Sequence, residues 1–198
     1  MGMRYAQTLL VNGQFKKCDA LLSTLKIIPF EGATVGRVMY RESKLQQALS
    51  LMKAGRYKNA LPFISAAQLW PENLGSGKPY DEDIDTRLED WMSYLCLQKT
   101  NKATEAKEFL KRIVVFDPKI DNTVSNFFAA NHLVTAWALE KTKERKDALN
   151  WLDKEEKKYP GNAILQWSKA AFENKKPSMT ENIKDANVKM LQALMELK

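Results

Sequence analysis

One short pattern occurs four times in this sequence of 198 residues and restricts it to a repeated helical architecture. In each version a turn is followed by an aromatic or small residue, a small Ala or Cys, several apolar residues and a closing proline. The versions begin near residues 13, 55, 102 and 145. The closing prolines are Pro29, Pro71, Pro118 and Pro160, which lie 42 or 47 residues apart. Self-similarity at such a period is typical of stacked helical repeats.

A segment whose apolar residues are spaced i, i+3 and i+4 precedes the second, the third and the fourth version of the pattern. Another such segment follows the fourth version. This spacing indicates one face of an α-helix. The four stripes are Leu45, Ala48, Leu49 and Met52; Trp91, Tyr94 and Leu95; Leu133, Ala136 and Trp137; and Trp167, Ala170 and Ala171. The predicted unit is therefore helix A, a turn, helix B and a proline, because proline cannot supply the N–H that would continue the helix.

This unit resembles the tetratricopeptide repeat. The matching positions are the helix A tryptophans Trp91 and Trp167, the helix B alanines Ala60, Ala106 and Ala148, and the terminal prolines Pro118 and Pro160. The resemblance implies an all-α, right-handed α-solenoid of antiparallel helix–turn–helix repeats. The units here exceed the usual length of about 34 residues, so we expect extended helices or extended connections. Pro62 also departs from the plain pattern and would bend its helix mildly.

We predict a single repeat domain over residues 1–198. Its units are expected at residues 3–30, 34–71, 82–118 and 122–160, followed by a C-terminal cap at 162–198. Ser178 and Glu181 form a capping box after Pro177, which predicts a final helix that covers the last repeat. Four helix pairs exceed the minimum of about three repeats that a continuous core requires.

A narrower resemblance comes from two segments, residues 70–81 and residues 162–167. Both are similar to the C-terminal repeat region of large bacterial tetratricopeptide proteins that carry a domain of unknown function upstream. That resemblance covers most of the chain and implies no catalytic residues. Met1-Gly2-Met3 is typical of an added start, so we expect the chain to be a fragment of a larger protein.

Composition and charge exclude several classes of protein. Hydrophobic residues make up 44% and charged residues 28%, which is usual for a globular protein. No apolar run is long enough to predict a membrane helix. A net charge of +7 favours an acidic partner. Acidic residues are interspersed among the basic ones, so nucleic-acid binding is not expected. Two cysteines and no signal peptide favour a reducing, cytoplasmic compartment.

Two motifs resemble ligand loops but lack essential residues. Gly75-Ser76-Gly77-Lys78 resembles a phosphate loop, but Pro79 stands where the loop needs Ser or Thr, and Glu72 replaces its first glycine. A connecting loop is the favoured interpretation.

Asp81, Asp83 and Asp85 have the opening spacing of a calcium loop. Thr86 replaces the glycine at the sixth position and Met92 replaces the glutamate at the twelfth. We therefore favour an acidic helix N-terminus, where negative charge complements the helix dipole.

No catalytic, cofactor-binding or metal-binding residue is predicted. His132, the only histidine, stands in a helical segment without a recognisable nucleophile, so we expect it at the surface or at the edge of a groove. Trp91, Trp137 and Trp167 could stack on a sugar or a peptide, but their positions on the apolar stripes favour the core. The chain is therefore predicted not to be an enzyme.

The predicted function is a non-catalytic protein–protein interaction scaffold that binds a peptide or a partner helix in a concave groove lined by A helices. The predicted partner-binding residues are Gln46, Ser50, Lys53, Met92, Cys96, Lys99, Val134, Ala138, Lys141 and Lys175. The four lysines among them recur near the ends of A helices, which favours either a ladder of charge along the groove or cations that complement the helix dipoles. Two alternatives are a carbohydrate-associated helper module of a glycan-handling protein and a basic RNA-binding array.

Overall fold

The computed structural model describes residues 2–30, 33–117, 129–175 and 186–197. Over these ranges the protein consists of α-helices, two short 3-10 helices and connecting segments, with no β-strand. The prediction of an all-α protein is therefore confirmed for the described residues. Pro118, Pro177 and the predicted capping box of Ser178 and Glu181 lie outside them. No helix within these ranges has both the length and the apolar character needed to cross a membrane.

The helices alternate in the predicted order, with short turns inside each pair. The described α-helices are α1 (Gly2–Val11), α2 (Phe15–Thr24), α3 (Val35–Lys53), α4 (Tyr57–Ala67), α5 (Arg87–Lys99), α6 (Ala103–Val115), α7 (His132–Thr142), α8 (Arg145–Lys158), α9 (Ala163–Phe172) and α10 (Ala186–Met195). The 3-10 helices are Glu72–Leu74 and Asp81–Asp83. Helices α1 to α8 form the four predicted pairs of helix A and helix B.

The turns that end α1, α3, α5 and α9 share one hydrogen-bond pattern. After α1, Gly13 has a left-handed backbone with φ +70°, and its N–H donates to the carbonyl of Leu10 at 3.0 Å. The N–H of Gln14 donates to the carbonyl of Leu9 at 2.8 Å. These two bonds define a Schellman motif, which satisfies carbonyls that the helix end would otherwise leave unpaired. The same pattern recurs at Gly55, Asn101 and Asn174.

The helices group into two compact units, residues 1–84 and residues 85–198. In the first unit α2 packs against α1 and α3, while α3 also packs against α1 and α4. The buried residues at the centre of this packing include Ala6, Cys18, Leu22 and Met39.

The segment that follows α4 explains why the unit is longer than the usual repeat. The Asn73 side chain donates to the carbonyls of Leu22 and Leu25 at 2.9 and 2.8 Å, and so caps the C-terminal end of α2. Gly75 is left-handed with φ +68°, and a Cβ there would lie 2.9 Å from the carbonyl oxygen of Ile27. Leu74 is buried in the core of the unit. The segment is therefore an extended connection that closes the first helix pair.

In the second unit α5 packs against α6 and α7, and α7 also packs against α6, α8 and α9. Trp91, Trp137 and Trp167 are buried, which confirms the prediction that they belong to the core. The rings of Trp91 and Trp137 lie 5.2 Å apart between centroids, so the α5–α7 contact is largely aromatic. Ala106 and Ala148 are fully buried on α6 and α8, as expected for positions where helices approach closely.

Candidate functional site

The first unit contains an open groove with a volume of about 1140 Å³. We call it the basic groove. It is bordered by residues 13–17 at the start of α2, by Gln47, Ser50, Leu51 and Ala54 on α3, and by Arg56, Lys58, Asn59, Pro62 and Phe63 at the start of α4. The groove therefore lies where three helices and two interhelical turns meet.

The repeat pattern of the sequence creates this arrangement. Gly13 and Gly55 occupy the same position in successive Schellman turns, so α2 and α4 begin at equivalent points of successive units. The first turns of both helices consequently border one groove. Lys16 and Lys58 are the second residues of α2 and α4, so the repeat places two cations at equivalent positions.

Positive charge in the basic groove is not compensated by acidic side chains. Its lining includes four exposed cations and no acidic residue; the cations are Lys16, Lys17, Arg56 and Lys58. Asp19 on α2 is already engaged, because the Lys44 ammonium contacts its carboxylate at 2.6 Å. No ion pair joins any of the four cations to an acidic side chain in the described part of the chain.

The two helix starts add to the positive potential. The N-cap residues of α2 and α4 are Gln14 and Arg56, and neither side chain caps the helix by a hydrogen bond. Neither first turn contains an acidic residue. The unpaired N–H groups of a helix N-terminus carry a partial positive charge, which here is not offset by a capping oxygen or a carboxylate.

Apolar surface lies beside these cations. Phe15 and Phe63 are half-buried, while Pro62 is exposed on α4 and Leu51 is half-buried on α3. Pro62 lies inside α4 and lacks the N–H that would donate to the carbonyl of Lys58. The basic groove therefore combines cations, aromatic edges and polar groups, a combination suited to binding a negatively charged segment that also carries apolar side chains.

The structure distributes the predicted partner-binding residues over very different environments. Ser50 lines the basic groove, and Gln46 and Lys53 lie on the same helix, half-buried and exposed respectively. Four others have no exposed surface: Met92, Cys96, Val134 and Ala138. Helices α5 and α7 bury these side chains because each packs against several neighbours. Such residues contribute to the core and offer no surface to a partner in this structure.

The remaining three predicted residues are exposed lysines of the second unit. Lys99 and Lys141 lie in the last turns of α5 and α7. Lys175 lies beyond the end of α9, and its ammonium contacts Glu173 at 2.7 Å. It follows the left-handed Asn174, whereas Lys99 precedes the left-handed Asn101. Lys175 therefore does not occupy the position in its turn that Lys99 occupies. Lys53 belongs to the first unit, so the ladder stays a prediction.

The four cations of the basic groove were not among the predicted partner-binding residues, because partner contacts were expected on A helices; they are Lys16, Lys17, Arg56 and Lys58. The sequence repeat nevertheless contained a signal for Lys16 and Lys58. Phe15-Lys16-Lys17 and Tyr57-Lys58-Asn59 are the same segment one period apart, and both place a lysine after an aromatic residue at the start of helix B.

The second unit contains a buried network of polar side chains, which we call the polar cluster: Asp85, Arg87, Asn131, Thr135 and Asn187. Arg87 donates to both carboxylate oxygens of Asp85, at 2.9 and 2.7 Å, and to the Thr135 hydroxyl at 3.0 Å. Asn131 donates to the same carboxylate at 3.0 Å. Burial alone would raise the pKa of Asp85, but the Arg87 charge and these hydrogen bonds hold it below the usual value.

Asp85 therefore has a further role beyond the one predicted for it, since its carboxylate lies at the N-terminus of α5 and is also part of the polar cluster. The sequence placed it with Asp81 and Asp83 at an acidic helix N-terminus. Asp81 and Asp83 lie exposed in a 3-10 helix, whereas Asp85 is buried and accepts the N–H of Arg87 at 3.1 Å. No group of three or more potential metal-ligating side chains occurs among the described residues.

The expectation that His132 lies at the surface or at a groove edge is wrong. The side chain is fully buried, and its ring stacks on Trp151 with a centroid distance of 5.2 Å. Its Nε2 lies 3.3 Å from the Glu155 carboxylate. Burial would raise the pKa of Glu155, but the hydrogen bond and charge of His132 lower it overall. The pair joins the start of α7 to α8 inside the second unit.

The two cysteines are buried in different units. Burial, together with the negative charges of Asp19 and Glu42, raises the pKa of Cys18 to about 11, and burial raises that of Cys96 to about 12. Both thiols are therefore protonated at neutral pH, and a protonated thiol is a poor nucleophile and a poor metal ligand.

Comparisons with known proteins give no relative for this chain. No protein-family model matches it. No curated protein and no solved structure matches it either.

Proposed function

We propose that this chain is a non-catalytic binding module of the tetratricopeptide type, in which the helix pairs stack as a right-handed α-solenoid. Its basic groove holds an acidic peptide segment of a protein partner. The observation that carries this proposal is the uncompensated charge of the groove, where four exposed cations and two uncapped helix starts surround apolar side chains. Complementary potentials accelerate encounter and select the partner.

The apolar lining favours a peptide over a nucleic acid. Single-stranded nucleic acids need aromatic faces that are available for base stacking. Phe15 and Phe63 are each half-buried, and Lys44 lies 6.0 Å from the centre of the Phe63 ring. A peptide side chain needs only an apolar edge and room beside it, which Leu51 and Pro62 also provide.

A second argument concerns the buried tryptophans. Trp91, Trp137 and Trp167 are the tryptophans that the sequence suggested for stacking on a sugar, and all three are enclosed in the core of the second unit. The exposed functional groups of the basic groove are instead ammonium and guanidinium groups, which bind carboxylates through charge-assisted hydrogen bonds.

The test is a fluorescence titration with a labelled synthetic peptide in which Glu residues flank a single Phe. We expect binding that weakens as ionic strength rises, because exposed charges are screened by salt. Replacing Lys16 and Lys58 by Gln should weaken binding by about tenfold, roughly 1.4 kcal/mol for two exposed cations. The matched control replaces Lys107 and Lys154, exposed lysines of the second unit, and should bind as the parent does.

Two further probes complete the experiment. An analogue peptide with Gln in place of Glu should bind more weakly, since it lacks the charges that the groove complements. A labelled oligouridine should bind more weakly than the acidic peptide. Tighter binding of oligouridine that is lost in the Lys16→Gln/Lys58→Gln variant would overturn the proposal in favour of a nucleic-acid site.

A further inference from the structure

The first unit also carries an exposed segment that has the properties of a ligand for the basic groove. This segment, the acidic loop, comprises residues 77–83 and contains three acidic residues and one lysine. Tyr80 is 77% exposed, and the Asp81 side chain is 85% exposed. A large exposed aromatic side chain followed by the exposed carboxylates of Asp81 and Asp83 is the kind of group that interfaces use as an anchor.

We infer that the basic groove of one copy of this chain binds the acidic loop of a second copy. The inference rests on the proposed function, because it uses the same groove and names its partner. Carboxylates of Asp81 and Asp83 would meet the ammonium groups of Lys16 and Lys58, and the Tyr80 ring would lie against the apolar lining. Charge and apolar character thus match on both sides of the contact.

The groove and the loop of the same chain do not meet in this structure. No residue beyond Phe63 lines the basic groove, so the acidic loop leaves it open. The loop follows the Asn73 and Leu74 segment, which packs on α2 and on the core of the first unit. Both surfaces therefore remain available to another copy.

The contact joins two different surfaces, which determines the assemblies it can form. Two copies joined by one such contact still offer one free groove and one free loop as a pair. Further copies would add head to tail and give closed rings or open chains, unless the two free surfaces of the pair meet and close a two-fold dimer.

The contact should be weak and sensitive to salt. Seven residues of loop bury far less than the roughly 800 Å² per partner of a standard interface. The exposed Lys78–Asp81 ion pair, 2.7 Å long, would be exchanged for a contact with the groove. An exposed pair of this kind contributes little to stability, so its loss opposes binding only slightly.

The test is sedimentation velocity of the whole chain from about 1 μM to about 1 mM. The parent should show mass increasing with concentration at an ionic strength of about 0.15 M and should be monomeric at about 1 M. Two double variants should each remain monomeric alone: Lys16→Glu/Lys58→Glu, which leaves the groove with two cations, two carboxylates and no net charge, and Asp81→Lys/Asp83→Lys, which reverses the charge of the loop. Glutamate at the second position of α2 and α4 complements the helix dipoles, so the groove variant should keep its fold.

Mixing the two double variants is the decisive measurement. The groove variant keeps a normal loop, and the loop variant keeps a normal groove, so an equimolar mixture should form a 1:1 complex and nothing larger. The control Lys107→Glu/Lys154→Glu should associate as the parent does.

Three results would overturn the inference: a parent that is monomeric throughout, double variants that associate like the parent, or a mixture that forms no complex. A titration with the peptide in which Glu residues flank a single Phe distinguishes these three results from a failure of the proposed function. If the peptide binds the basic groove while the chain stays monomeric, only the self-association is lost. If the peptide also fails to bind, both proposals fall.

Discussion

The two units of this protein use charged residues in opposite ways. In the first unit, Lys16 and Lys58 lie exposed beside the basic groove, and no acidic side chain in the described chain pairs with them. In the second, Asp85 and Arg87 are 5% and 1% exposed and are fully engaged with one another and with Thr135 and Asn131. An exposed cation keeps its hydration and remains available to a ligand, whereas a buried pair is committed to the fold.

This contrast predicts that substitutions of charged residues affect binding affinity in the first unit and stability in the second. Removing a cation of the basic groove should change affinity and leave the fold intact, because water already solvates that group. Removing one member of the polar cluster should instead leave an unpaired charge in the core, which is among the costliest changes that a folded protein can undergo.

The largest effect is expected for Arg87→Met. The substitution keeps most of the side-chain volume but leaves the Asp85 carboxylate buried without its cation, so the free energy of unfolding should fall by about 3–5 kcal/mol. Urea denaturation followed by circular dichroism measures the change. Adding Asp85→Asn to this variant should recover part of the loss, because the amide carries no charge. A double variant less stable than Arg87→Met would contradict the assignment of a charged pair.

The next largest effect is a loss of stability from disturbed packing at α6 and α8 of the second unit. Ala106 and Ala148 have no exposed surface on α6 and α8. Replacing either with Leu adds three carbon atoms to a filled contact and should destabilise the protein by about 1–3 kcal/mol. The exposed Ala54, at the end of α3, is a matched position in the first unit where the same change should have little effect. Equal melting temperatures for all three variants would exclude this packing.

A smaller effect depends on pH and on Asp90. Burial raises the pKa of Asp90 to about 6, against the opposing influence of Arg112, which donates to its carboxylate. A pKa raised by folding means that the protonated form is favoured in the native state. The contribution of Asp90 to stability is therefore fully present below pH 3.8 and is lost as pH rises through about 6.

The variant Asp90→Asn tests whether the contribution of Asp90 to stability falls as the pH rises. The stability difference between the parent and the variant should shift against the parent when the pH is raised from about 4 to about 7.5. Taking the difference between the two proteins cancels the titration of the groups that they share. A difference that stays constant over this range would show that Asp90 is already ionised at the lower pH, contrary to the effect of its burial.

The repeat pattern was sufficient to predict the order and pairing of the helices. The apolar spacing around Trp91 and Leu133 gave the A helices, and the glycines at 13 and 55 marked the turns before the B helices. Both signals are local, since they depend on helical periodicity and on a left-handed residue that ends a helix. Asn101 performs the same function as those glycines and was harder to recognise, because asparagine adopts this conformation less often.

Burial was much harder to predict than helicity. The assignment of Met92 and Val134 to an open groove assumed that one face of each A helix remains uncovered. Helices α5 and α7 contact so many neighbours that those faces are enclosed. The burial of His132 and Asp85 was missed for a related reason. A polar residue can be buried when a partner distant in sequence satisfies it, and the sequence alone does not show that Glu155 or Asn131 lies beside it.

The smallest expected effect is a change in melting temperature, and its sign should differ between two pairs of exposed lysines. Lys16 and Lys58 lie in the first turns of α2 and α4, where a cation opposes the helix dipole, whereas Lys99 and Lys141 lie in the last turns of α5 and α7, where a cation complements it. Lys16→Gln/Lys58→Gln should therefore raise the melting temperature slightly, and Lys99→Gln/Lys141→Gln should lower it slightly. Both shifts should shrink as salt is added. Affinity for the acidic peptide should fall in the Lys16→Gln/Lys58→Gln variant and stay unchanged in the Lys99→Gln/Lys141→Gln variant, since only the first variant removes cations of the basic groove. A loss of peptide affinity in the Lys99→Gln/Lys141→Gln variant would return these lysines to the binding surface and restore the lysine ladder as the site.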